Sequence, residues 1–166
     1  MRPALLLLFI FTRCFAYGQD TSYAMGKLVK ANEEVVMSFK TKNKKIVVVS
    51  EDKSHKYLVF RYGDKDSVKF QYPQELNENS WNQFKYYSFV KNDNSYEAVE
   101  EYKLSFFYNG IGYMIDQYKH IPTEDEDLEL NITGIVDGCV LSGKPHTRVG
   151  SLSKLEGSAV PKDIKD

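Results

Sequence analysis

The stretch Leu104 to Ile115, LSFFYNGIGYMI, constrains the fold more than any other part of this chain. Asn-Gly between two apolar runs is the strongest short-range hairpin signal, because a type I′ turn needs positive φ at both central residues and these two types tolerate it. With Asn109-Gly110 as the turn, Tyr108 falls opposite Ile111, Phe106 opposite Tyr113 and Leu104 opposite Ile115, so six large side chains share one face. A ribbon with such a face belongs to a core. On the other face Phe107 lies opposite Gly112, where its ring can cover bare backbone, and Ser105 lies opposite Met114. Gly110 is therefore expected to resist replacement by Val, and Gly143, in a later loop, to tolerate it far better.

Period-two runs bounded by turn residues recur along the chain: Glu34 to Lys40, Lys45 to Ser50, Tyr57 to Tyr62, Val68 to Tyr72, Phe84 to Val90, Tyr102 to Tyr108, Ile111 to Tyr118, Leu128 to Val136, Cys139 to Leu141 and Arg148 to Leu155. Thr41 to Lys44 and Gly63 to Ser67 read as two further hairpin tips, and Asp137-Gly138 as another tight turn. Helical signals are confined to Pro73 to Phe84, with one turn around Gln74 to Leu76, and a short piece at Ser95 to Glu101. The pattern predicts an all-β, single-domain antiparallel β-sandwich or β-barrel of about 8–10 strands. Pro122 to Asp127 and Ser142 to Thr147 read as polar connections, and Gly157 to Asp166 as a frayed end.

The first residues, MRPALLLLFIFTRCFAYGQD, have an early Arg, an apolar run from Ala4 to Phe11 and the small-residue pair Ala16 and Gly18 around Tyr17. This is the form of a secretory signal peptide spanning 1–18, which leaves 19–166 as one secreted β domain. The apolar run is too short for a membrane span of about 20 residues, so no stable membrane insertion is expected. Cys14 lacks the small and aliphatic residues that lipoprotein processing prefers before its cysteine. Cleavage after Gly18 would remove Cys14, leaving Cys139 alone and no intramolecular disulfide; Cys139 reads as a small buried residue. The 22 basic residues less Arg2 and Arg13, against 23 acidic ones, give a formal charge of −3, which argues against a nucleic-acid partner.

Familiar chemistry is missing from the pattern. The chain carries no HExxH, CxxC, GxSxG or glycine-rich phosphate loop, and His55, His120 and His146 have no metal-ligand spacing, so neither a metal, a cofactor nor catalytic residues are expected. Glu124 to Asp127 are consecutive acids rather than the alternating ligands of a calcium loop. Lys40, Lys42, Lys44 and Lys45 make a basic hairpin tip of the kind that keeps β-proteins soluble. The twelve Tyr and ten Phe fall mostly on alternating strand positions, where a core puts them, while Trp81 stands in a polar stretch and is expected at a sandwich edge.

The run KYLVFRYGDKDSVKFQYP, Lys56 to Pro73, resembles an uncharacterised family of small exported bacterial proteins that share a Tyr-Leu-x-aromatic-Arg-aromatic-Gly strand. Ser38 to Asn43, Ile46 to Val49, Leu104 to Phe106 and Gly150 to Leu155 are similar to the same family, so the resemblance covers roughly residues 35 to 156. It implies export but no activity, and the cysteines that members often carry near Phe39, Lys40, Val49 and Ser50 are absent here. Arg61 is the motif residue of greatest interest. It shares a strand face with Tyr57 and Val59 and reads as a structural guanidinium seeking a ring and a carboxylate.

These features point to a secreted or periplasmic, non-enzymatic binding protein whose partner is a protein or glycan of the cell envelope. The candidate binding loop is Ser142 to Arg148, where Gly143 and Pro145 shape the backbone and Ser142, Lys144, His146 and Arg148 would project, in the manner of an inhibitor loop entering an acidic enzyme cleft. The alternative is a cell-envelope hydrolase with polar groups on its loops.

Overall fold

Ile46-Val47-Val48-Val49-Ser50 is buried at every position, which a strand wetted on one side cannot achieve. The computed structural model, which describes residues 25–93, 95–134 and 139–162, shows why. Among these residues the strands are β1 (Glu33–Lys40), β2 (Ile46–Asp52), β3 (Leu58–Asp64), β4 (Ser67–Tyr72), β5 (Lys85–Lys91), β6 (Val99–Tyr108), β7 (Ile111–His120), β8 (Asp125–Thr133), β9 (Cys139–Ser142) and β10 (Val149–Gly150). They form two antiparallel five-stranded sheets, ordered β10-β1-β2-β3-β4 and β5-β6-β7-β8-β9. The molecule is an all-β sandwich. A single bridge between Thr41 and Gly143 joins the two sheets at one corner.

Between the sheets lies an aromatic core. Phe106 stacks on Tyr113 at 4.9 Å and on Tyr72 at 4.4 Å, and Phe70 stacks on Tyr113 at 5.1 Å. The hairpin at Asn109-Gly110 supplies much of it: both turn residues have positive φ, and the register pairs Tyr108 with Ile111, Phe106 with Tyr113 and Leu104 with Ile115. The other face of the first sheet is dry as well over β2 and β3. Met25, Leu28, Ile46 and Val48 form a second buried cluster there, beneath the segment that leads into β1.

That segment is held by an ion pair with almost no access to water. The Arg61 guanidinium, 1 % exposed, donates to both Glu33 carboxylate oxygens, at 2.5 and 2.8 Å, and to the Leu28 carbonyl at 3.0 Å. Glu33 also accepts from the Tyr57 and Ser50 hydroxyls and from the Lys30 amide, and Tyr57 accepts from Asn32. Burial alone would raise the Glu33 carboxyl, but the Arg61 and Lys30 bonds outweigh it and hold it below the usual carboxylate range.

Several sequence expectations change. Arg148 to Leu155 is not one strand: β10 covers only Val149–Gly150, and Leu152–Leu155 is a 3₁₀ turn in which the Ser151 hydroxyl accepts from the Ser153 amide. The two leucines at i and i+3 eclipse in such a turn and enter the core together. Within the helical candidate Pro73 to Phe84 a 3₁₀ turn forms at Glu78–Gln83 rather than around Gln74 to Leu76; Asn77 and Ser80 cap each other there, and the turn delivers Trp81 to the core at 6 % exposure. The piece from Ser95 to Glu101 is a turn and then β6. Asp125 to Asp127 belong to β8 rather than to a loop, paired with His120, Lys119 and Tyr118. The end is not frayed through Lys162, since Val160 is buried and the Tyr86 amide donates to the Pro161 carbonyl. The expected signal peptide, the Asp137-Gly138 turn and residues 163–166 lie outside the described residues.

Two predictions follow from this packing. A Cβ on Gly143 would come within 2.6 Å of the Phe39 ring and 2.7 Å of Leu128, whereas one on Gly110 meets nothing within 4 Å. The expected order of tolerance is therefore reversed: Gly143→Val should lower the urea midpoint more than Gly110→Val, whose positive φ costs on the order of 1–3 kcal/mol. Arg61→Met should cost about 3–5 kcal/mol by leaving the Glu33 charge buried and unpaired, and Arg61→Met with Glu33→Leu should recover part of that loss in equilibrium unfolding.

Candidate functional surface on the second sheet

Side chains alternate across a strand, so the residues of β6, β7 and β8 that point away from the core form rows on the outer face of the second sheet. One row is Tyr87, Lys103, Asp116 and Glu129; the next is Phe89, Glu101, Tyr118 and Asp127. Among the described residues, no segment pairs across this face. Beyond these rows Phe107 is 71 % exposed and Val140 56 % exposed, and the Phe107 ring lies over Gly112, where a Cβ would meet it at 3.1 Å.

Glu101, Asp116, Tyr118, Asp127 and Glu129 line a depression of about 230 Å³ in the middle of the face. Lys103 is its cation, 2.5 Å from Glu101 and 3.5 Å from the Asp116 Oδ2. The Asp116 Oδ1 is buried and accepts no hydrogen bond. Burial pushes the Asp116 carboxyl up, Lys103 pulls it down, and the neighbouring Glu101 and Glu129 add to the rise, so the net shift is upward. Four carboxylates around one lysine leave an excess of negative charge in a partly dry hollow.

The sequence-predicted site residues are dispersed. The Ser142 to Arg148 loop is fastened down rather than projecting: the Gly143 amide donates to Leu128, the Lys144 amide to Lys40, the Lys42 amide to Ser142, and the Lys40 amide to the Thr147 hydroxyl. Arg148 is engaged by Glu126 at 2.8 Å and by the Gly150 carbonyl. Lys144 is half-buried, and His146 stands exposed at the tip of a 3₁₀ turn, Pro145–Thr147. Arg61 is sealed beneath the segment before β1. His55 pairs with Glu51 at 3.0 Å, and His120 lies between the Thr123 hydroxyl and the Tyr96 carbonyl. Cys139 opens β9, half-buried. Among the described residues, no group of three or more His, Cys, Asp or Glu is arranged to hold a metal ion, and no helix is long and apolar enough to cross a membrane.

No family model, curated protein or solved structure matches this chain. The surface must therefore be read from its own chemistry. Asp116 was within reach of the sequence, since the Asn109-Gly110 register alone sets it opposite Lys103; its third neighbour, Glu129, depends on where β8 begins.

A carboxyl whose folded-state pKa is raised binds its proton more tightly in the folded chain. The ionised form therefore costs stability above that pKa, and the cost fades as pH falls towards the unfolded value. Asp116→Asn should raise the urea midpoint at neutral pH, and the gain should shrink in acid.

Proposed function

We propose that this protein is a secreted or periplasmic binding protein, not an enzyme, that holds a cationic segment of a cell-envelope protein on the open face of its second sheet. The observation that carries the reading is Asp116. An acid kept partly dry between two other acids, with one oxygen lacking a donor, lowers the stability of the isolated chain, and such groups concentrate where a ligand relieves them. A lysine or arginine head entering the depression would meet the carboxylates of Glu101, Asp116, Asp127 and Glu129 that line it, in charge-assisted bonds worth about 1.5–3 kcal/mol each. Tyr87, Phe89 and Tyr118 flank the hollow and offer apolar surface to the alkyl stem of such a side chain. Export is supported by the leader-like first 18 residues and by the family resemblance. The Ser142 to Arg148 loop contributes less, because Arg148 is already paired.

The reading is tested by nuclear magnetic resonance titration with a short synthetic peptide alternating Lys and Thr, and with its Glu-Thr counterpart. The Lys-Thr peptide should shift resonances of Glu101, Asp116, Tyr118 and Glu129. Glu129→Gln and Asp116→Asn should each weaken it by about tenfold, equivalent to 1.4 kcal/mol, and added salt should weaken it further. Equal shifts with the Glu-Thr peptide, or shifts confined to other faces, would contradict the proposal.

A further inference from the structure

The tip between β1 and β2 and the loop after β9 are far apart in sequence, and the fold ties them into one corner. The Thr41 amide donates to the Lys45 carbonyl, the Lys45 amide to the Thr41 hydroxyl and the Lys44 amide to the Thr41 carbonyl, which closes the tip on a buried residue. Across the Thr41–Gly143 bridge the Lys42 amide donates to Ser142 and the Lys144 amide to Lys40. Four lysines are thereby gathered: Lys40, Lys42 and Lys44, all exposed, and Lys144, half-buried, with the exposed His146 on the same loop. None of the four pairs with an acid among the described residues. Two acids on neighbouring segments are already taken, Asp64 by Lys45 and Lys69 and Glu126 by Arg148. The rest of the chain leans the other way: without these four lysines the 20 basic residues of 19–166 fall to 16, against 23 acids.

We infer that this corner docks on the phosphate headgroups of an anionic lipid surface. A plane of negative charge attracts the corner and repels the more acidic remainder, so it selects one orientation of the molecule as well as contact. The side chains fit a surface better than a nucleic acid. Lysine ammoniums are compact point charges that meet phosphates from any direction, whereas single-stranded nucleic acid is held by rings and guanidinium planes on which its bases stack. Neither Lys40 to Lys45 nor Ser142 to Thr147 contains a Phe, Tyr, Trp or Arg. The exposed residues of the two segments, Lys40, Lys42, Asn43, Lys44, Pro145 and His146, include nothing as large and apolar as Leu, so the contact stays at the level of the headgroups without insertion. With both backbones already fastened, little ordering is needed on contact. This inference does not depend on what the open face of the second sheet holds.

Cosedimentation of the full chain with lipid vesicles tests it, using phosphatidylcholine alone and an equimolar mixture with phosphatidylglycerol. The chain should bind the mixed vesicles more tightly, and the difference should shrink as salt rises. Lys40→Gln, Lys42→Gln, Lys44→Gln and Lys144→Gln should each weaken binding to the mixed vesicles by about fivefold, and all four together by more than about a hundredfold, with the circular dichroism spectrum unchanged. Lys56→Gln, beyond the opposite end of β2, should change nothing. On phosphatidylcholine alone the parent and the quadruple variant should behave alike, which isolates whatever residues 1–18 contribute. An environment-sensitive fluorophore on His146→Cys, with Cys14 and Cys139 replaced by Ser, should respond to the mixed vesicles, and one on Ser54→Cys should not. Equal binding of the parent and the quadruple variant to the mixed vesicles, or an equal response from the two fluorophores, would overturn the proposal. Tighter binding to heparin than to the mixed vesicles at matched anionic charge would overturn it too, by assigning the corner to a polyanionic chain.

Discussion

The bidentate contact between Arg61 and Glu33 is the constraint on which the arrangement of this molecule rests. A guanidinium and a carboxylate removed from water are costly unless every remaining donor and acceptor finds a partner. Here Leu28, Lys30, Ser50, Tyr57 and Gln71 supply those partners, and several of them lie on or beside the segment before β1. The segment must therefore lie over the first sheet, which makes Ile46 to Ser50 dry on both sides. An ion pair of this kind adds little net stability, but it allows only one placement of the chain above β2 and β3.

The functional consequence concerns the other sheet. With one face of the first sheet closed by the aromatic core and the other covered over β2 and β3 by residues 25–32, the second sheet is left to present a broad surface. Its central strands are long, paired on both sides and backed by Leu104, Phe106, Ile115, Leu128 and Leu130. That makes a rigid platform. Groups held on strands keep their spacing better than groups on loops, so the acids around Asp116 are held at fixed positions. The energetic cost of its crowded acids is borne by this well-packed core.

Much of the fold was legible in the chain. The Asn109-Gly110 turn set the register of β6 and β7 residue by residue, and alternation placed nine of the ten strands among the described residues to within about three residues. What could not be read depended on contacts distant in sequence. Tyr57 and Arg61 were visibly on one face, yet nothing local pointed to Glu33, 28 positions away. Gly143 looked like a turn glycine, and its real constraint is the Phe39 ring arriving from the other sheet. The same closeness explains the loop that follows: it reads as polar and projecting, but Lys40, Lys42 and Leu128 hold its backbone. Serine before Leu152 could signal either a strand or a capped turn, and the core chose the turn.

Native-state hydrogen exchange tests most directly whether the segment before β1 is part of the folded core. The Lys27 amide, which donates to the Lys65 carbonyl, and the Lys30 amide, which donates to the Glu33 carboxylate, report on that segment, while the amides of Val48 and Val59 report on β2 and β3. The account predicts that all four exchange only through global unfolding, with the same free energy and the same dependence on denaturant. Exchange at Lys27 and Lys30 with a free energy several kcal/mol lower, and little denaturant dependence, would show that the segment lifts off by itself, and would contradict the placement of Arg61 and Glu33 at the centre of the fold.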